Sequence, residues 1–216
     1  MTTNWKRIAT DLLMIAFLVV FPHMGLLPMF AFSILLLLLI GLYLKFFKEG
    51  FGDIRFKFSA INLKSVWLGG VIGVGYAMLV YWGIGPFFDR LGFTPANLSD
   101  FKYIRHNTIN YLYLLSIAGF LVIPFEEIVF RGFIFTRIKA LFGYGKWAFT
   151  LSGLITSILF ALYHYQEGTG AMLSIFLFAL FITWLYKVFD GNLWYLIFFH
   201  IFYDVFMLSA IYLGYM

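Results

Sequence analysis

Cysteine is absent from all 216 residues, which excludes disulfides, iron–sulfur ligation and thiol catalysis and leaves His, Asp and Glu as the strong metal ligands. Charge is scarce as well. Asp, Glu, Lys and Arg make up only 12% of the chain, too little polar surface to cover a soluble globule. No internal repeat, low-complexity tract or Pro/Ser-rich linker divides it, so one integral membrane domain over 1–216 is the simplest organisation, with N-terminal helices over 1–108 and a helical core over 109–213. What fills the chain instead is apolar: 63% hydrophobic residues, including 29 Phe, with repeated runs that approach the ~20 residues a membrane crossing needs.

The sequence therefore predicts an all-α fold, a polytopic transmembrane helical bundle of about seven to eight spans. Trp5-Lys6-Arg7 and the apolar stretch to Phe21 have the charge and length of a signal peptide, but Pro22-His23-Met24 offers no small-x-small cleavage site, so a retained first helix is expected. Further spans are expected near 30–44, 66–88, 109–125 with a helical continuation to about 142, 147–164, 171–187 and 193–213. Gly69, Gly70, Gly73 and Gly75 give the third span a small-xxx-small face for close helix packing.

With the N-terminus inside, Lys6, Arg7, Lys45, Lys48, Arg55, Lys57, Lys64, Arg131, Arg137, Lys139, Lys146 and Lys187 fall on one side and only Arg90, Lys102 and Arg105 on the other. That asymmetry favours a cytoplasmic N-terminus, and the plasma membrane is the expected location. It also accounts for a sequence pI near 9.3 without nucleic acid, which is not expected as a partner. The basic, Phe-rich 45–64 segment reads as a positive-inside loop, with an interfacial element gripping anionic lipid as the alternative.

Against this background the run Pro124-Phe-Glu126-Glu127-Ile-Val-Phe-Arg131 stands out. A charge at the bilayer centre costs about 2.5–3.5 kcal/mol on insertion scales, so such groups face protein or a wet cavity and often carry function. Glu127 and Arg131 are i and i+4 with the acid first, the favoured order for an intrahelical pair. Glu126 points about 100° away and has no such partner, which leaves it as the acid free to act as base or ligand. Pro124 lacks an N–H and releases a backbone carbonyl.

Two more constellations follow at helical spacing: Phe160-Ala-Leu-Tyr-His164 and His200-Ile-Phe-Tyr-Asp204. His200 and Asp204 share a helix face and are expected to hold each other in place. His23 and His106 lie in predicted turns and carry less weight. With a hairpin tip at Gly143-Tyr144-Gly145, Glu126 and His164 lie about 27–30 Å down their respective arms, at one level. His200, roughly 15–18 Å past the turn near Asp190-Gly191, reaches that level only if the 131–146 tip projects beyond the membrane.

The ordered set Glu126-Glu127-x-x-x-Arg131, Phe160-x-x-x-His164 and His200-x-x-x-Asp204, on successive apolar helices, resembles the CPBP (CAAX protease and bacteriocin-processing, or Abi) family of intramembrane proteases, which includes the type II CAAX prenyl endopeptidases. The resemblance covers about residues 109–213, and Asp204 stands where many members carry Asn. It implies that Glu126 and His164 activate a water against a peptide carbonyl, that Glu127 and Arg131 support the helix, and that His200, with Asp204, stabilises the oxyanion or orients the substrate. General acid/base help of this kind gives typically ~10²–10⁴-fold in rate.

His164, His200 and Glu126 would alternatively hold Zn2+ with an open position for water, and the motifs leave metal-assisted and glutamate-type hydrolysis both open. The implied partners are the lipid bilayer and a membrane-associated peptide or protein, such as a CAAX tail, a pheromone or a bacteriocin precursor. Two other functions compete: a non-catalytic immunity or membrane scaffold protein, and a proton-coupled transporter using the same acids and histidines. Other intramembrane proteases fit worse, because Gly-x-Ser-Gly, His-Glu-x-x-His and Gly-x-Gly-Asp are all missing.

Overall fold

A computed structural model describes residues 5–27, 30–143 and 145–216. Among the described residues seven apolar helical runs follow one another: α1 (Trp5–Val20, continued by a 3-10 turn Phe21–Met24), α2 (Ala31–Phe46), α3 (Leu63–Arg90), α4 (Thr108–Phe142), α5 (Ala148–Tyr163), α6 (Thr169–Val188) and α7 (Leu193–Tyr212). The fold is all-α, as the hydropathy pattern predicts. Five of these runs are long and apolar enough to cross a membrane, α2 and α5 being shorter apolar helices, and together they mark an integral membrane protein. The expected hairpin tip falls between α4 and α5, although Tyr144 lies outside the described residues.

Local chemistry sets the helix starts. Asn62 Oδ1 accepts from Ser65 N at 2.8 Å ahead of α3, and Asn107 and Asn192 cap α4 and α7 in the same way, each satisfying a backbone donor that the first turn leaves open. Side chains from all seven helices meet in one apolar core around Leu18, Leu36, Phe125, Phe130, Phe133, Ile182 and Phe199. Outward faces carry exposed Leu, Phe and Trp, such as Leu38, Trp67 and Phe120, as lipid requires.

Two features position the site. First, the glycines of α3 let α7 approach closely: a Cβ on Gly69 would stand 2.8 Å from the Tyr195 carbonyl oxygen and 2.9 Å from Phe199 N. The small-residue face is thus the packing surface for the helix that bears His200. Second, α4 is one continuous run of 35 residues, about 52 Å at the α-helical rise, well over the ~30 Å hydrocarbon thickness. Arg137 on it pairs with Glu49, just past the end of α2, and with Asp11, so its last turn projects beyond α2.

Pro124 does not break α4. The helix widens into π turns at Ala118–Val122 and Ile128–Ile134, with Ile123–Glu127 between them. The first widening accommodates the proline ring and its missing donor. Each π turn advances the helix face by one residue, so the two glutamates are turned relative to both flanks.

The basic 45–64 segment is anchored to α7 rather than free. Trp194 Nε1 donates to the Lys57 carbonyl at 2.8 Å, Asn192 Nδ2 donates to the Ala60 carbonyl at 3.1 Å, and Phe56 packs on Trp194. At the opposite end of the bundle, residues 91–107 form a strap. Asn97 N donates to the Glu167 carbonyl, Gly170 N to the Thr94 carbonyl and His106 N to the Tyr212 carbonyl.

Candidate active site

The three constellations converge. Glu126 comes from the α segment between the two π turns, His164 caps the C-terminus of α5, and His200 lies in the second turn of α7. His164 Nε2 stands 4.0 Å from one Glu126 oxygen and His200 Nε2 3.9 Å from the other. Glu126 is 7% exposed. These separations are too long for direct hydrogen bonds, and each is one that a bridging water spans: a water about 2.8 Å from two atoms 4 Å apart sees them at roughly 90°.

Each histidine is oriented from behind. His164 Nδ1 is 2.8 Å from the Phe160 carbonyl oxygen; since a carbonyl only accepts, Nδ1 carries the proton and Nε2 faces Glu126 with its lone pair. His200 Nδ1 is 2.8 Å from Glu127 Oε1, so it too donates and turns Nε2 to the cavity.

Here the structure corrects the sequence reading. His200 is held by Glu127, not by Asp204, whose Oδ1 is 3.8 Å from Nε2. The reason is environmental: Glu127 is fully buried, whereas the Asp204 side chain is 30% exposed, so no water competes for the Glu127 bond. Glu127 also meets Arg131 Nη1, at 3.4 Å, and its single carboxylate serves both helices. Arg131 is buried, with its guanidinium 4.3 Å over the Phe160 ring. Phe160 therefore supports the site twice, through a cation–π contact and through its carbonyl on His164.

The zinc set His164, His200 and Glu126 is not assembled as a metal cage. Donors about 2.0–2.1 Å from a tetrahedral ion lie ~3.4 Å from one another, closer than the 3.9–4.0 Å found here. Among the described residues no group of three or more His, Asp and Glu is arranged to hold a metal ion.

All four residues, Glu126, His164, His200 and Asp204, line a cavity of about 620 Å³, together with Tyr163 and Tyr203. His23, given little weight in the sequence, also lines it, its ring 5.0 Å from that of Tyr163; His106 sits in the strap, away from it. Three acids that sequence spacing could not select also line it, Asp89 from the last turn of α3, Asp100 from the strap and Glu167 from the turn after α5. Glu167 lies outside the spans, and burial, together with the charges of Asp204 and Asp100, pushes its carboxyl up to about 7.

Comparison with known families fits this geometry. Residues 108–206 match the family described as Type II CAAX prenyl endopeptidase Rce1-like. That segment is an Rce1-like domain of the CPBP, or Abi, family. No curated protein and no solved structure matches the chain. The Rce1-like domain runs from the first turn of α4 into α7 and so contains every member of the Glu126, His164 and His200 group, together with Asp204 and the supporting Glu127, Phe160 and Arg131.

Proposed function

We propose that the protein is an intramembrane endopeptidase that hydrolyses a peptide bond in a membrane-associated peptide or protein through a water activated by Glu126 and His164. The observation that carries this reading is the shared spacing: a buried carboxylate with two imidazole nitrogens at 3.9–4.0 Å, facing a cavity large enough for a peptide segment.

In this mechanism the water gives one hydrogen bond to Glu126 and one to the His164 Nε2 lone pair, which directs an oxygen lone pair at the substrate carbonyl. Attack forms the C–O bond while Glu126 takes the proton. His200, its Nδ1–H given to Glu127, donates from Nε2 as an imidazolium to the developing oxyanion. Stabilisation of this kind is worth about 2.7–4 kcal/mol per donor. Collapse of the intermediate breaks the C–N bond, and Glu126 returns its proton to the leaving amine. Asp204, one turn from His200, sits where it can contact the substrate backbone or hold the His200 charge. No step is routed through a metal.

Glu126→Gln tests the proposal. It preserves shape and removes the base, so cleavage of a panel of membrane-associated peptides in detergent or vesicles should fall by at least ~10²-fold with folding and insertion unchanged. Full retained activity would remove the assignment, and retained protection or partner binding without any cleavage would favour the immunity or scaffold function.

A further inference from the structure

We infer that the cavity is entered from the extracytoplasmic face, so that the substrate is a membrane-held peptide segment exposed on that side; the substrate clause rests on the endopeptidase reading, the side of entry does not. The helix ends sort into two sets by their contacts. One set holds the Phe21–Met24 turn, the strap 91–107, the 165–168 turn and the chain after α7, joined by His23 to Tyr165, Asn97 to Glu167, His106 to Tyr212 and Arg105 to the carbonyls of Gly214 and Met216. The other holds the 47–60 loop, the α4–α5 hairpin and the 189–192 turn, joined by Trp194 to Lys57 and by Arg137 to Glu49.

The cavity belongs wholly to the first set. Its lining runs from Pro22, Asp89 and Asp100 at the rim to Glu126 and His200 at its floor and, among the described residues, takes nothing from 45–64, from 131–147 or from the 186–193 turn. His164 sits one residue beyond the last turn of α5, at that same end. From the other end, a peptide would have to pass buried Phe130, Phe133, Ile134 and Phe135.

Charge then assigns the compartments. Arg131 is interior and drops out of the topological tally, which leaves eleven Lys and Arg at the end away from the cavity and three at the cavity end. The cavity itself is lined by Asp89, Asp100, Glu126, Glu167 and Asp204 and, among the described residues, by no Lys or Arg. A bias of eleven to three in short loops retains the cationic end in the cytoplasm. A tail presented from the cytoplasm meets the cationic end, not the mouth, whereas a secreted peptide or an extracytoplasmic juxtamembrane segment meets the mouth directly.

The absence of cysteine makes this testable in the whole protein. Ser99→Cys marks the strap and Ala140→Cys the hairpin; both positions are exposed and outside the site. A membrane-impermeant maleimide applied to intact cells should label Ser99→Cys at least ten times faster than Ala140→Cys, which should react only after permeabilisation. The reverse pattern overturns the side of entry. A lipid-anchored, internally quenched peptide should be cleaved by sealed right-side-out vesicles and at least tenfold less by inverted ones; cleavage confined to inverted vesicles also overturns it. Outward labelling of Ser99→Cys with no cleavage in either vesicle type would defeat the endopeptidase reading and the substrate clause, and leave the side of entry supported.

Discussion

Gly73→Ala is the perturbation that best links the packing of this bundle to its chemistry. A methyl group there would lie 3.1 Å from the Phe199 carbonyl carbon and 3.2 Å from its Cα, and nearer still to the carbonyl oxygen. Ordinary carbon contacts sit at about 3.5–4.0 Å, so α7 must retreat by about 1 Å at the residue preceding His200. Overpacking of this kind costs about 1–3 kcal/mol, offset by the roughly 1 kcal/mol that Ala gains over Gly inside a helix, so net stability should fall by no more than ~2 kcal/mol. The effect on chemistry is larger, because a 1 Å misplacement of a positioned group can cost about 10²-fold and His200 is held to Glu127 at 2.8 Å. Gly75→Ala is the internal control: two residues along the same helix, it has nothing within 4 Å of the added methyl and should be neutral or stabilising. Peptide cleavage and thermal unfolding of the two variants, measured side by side, give the comparison. If Gly73→Ala cleaves within twofold of Gly75→Ala, glycine contact does not set the His200 position.

Other consequences follow from single groups. Glu127→Gln keeps an acceptor for His200 but leaves buried Arg131 without its charge partner, which should cost about 3–5 kcal/mol. The double variant Glu127→Gln with Arg131→Met should recover much of that loss in chemical denaturation without recovering cleavage, and a stable single variant would count against the pair. Glu167, raised from 4.5 to about 7, is protonated more readily in the fold than in the unfolded chain. Its contribution is therefore present in full below about 4.5 and lost as pH rises through 7. Wild type should lose thermal stability over that window relative to Glu167→Gln, and parallel profiles for the two would refute it. Glu49→Gln removes the negative charge shared by Arg7 and Arg137 and should destabilise by about 1–3 kcal/mol, read as a lowered unfolding midpoint with activity per folded molecule unchanged.

The sequence is most legible where physics is local. Apolar runs fix the spans to within about three residues, and i, i+4 spacing finds Glu127 with Arg131 because both lie on one helix. The same rule misleads at His200. It offers Asp204 one turn away, while the bond goes to Glu127, 73 residues distant in the chain, and no periodicity encodes a partner on another helix. The strap is hidden for a different reason: its closing bonds at Asn97, Gly170 and His106 use backbone donors, which almost any residue supplies. His23 reads as a loop histidine because nothing local reveals that the α1–α2 turn borders the cavity, and Phe160 reads as one apolar residue among many until Arg131 lies over its ring.

The adjacent glutamates then divide along a physical line. Glu127 is fully buried, yet its Oε1 meets both a guanidinium and an imidazole, so its charge is compensated and its position fixed. Glu126, one residue and about 100° away, is nearly as buried but has only two imidazoles at 3.9–4.0 Å, beyond hydrogen-bond reach. A carboxylate with no direct partner on the wall of a largely apolar cavity costs stability, and an apolar residue at 126 would carry no such cost. A purely structural site would favour that replacement, or a rotation bringing Glu126 into contact with His164. The observed arrangement keeps the imidazoles braced from behind by Phe160 and Glu127, at the separation one water needs, and it is this bracing that makes the gap a property of the fold rather than slack in it.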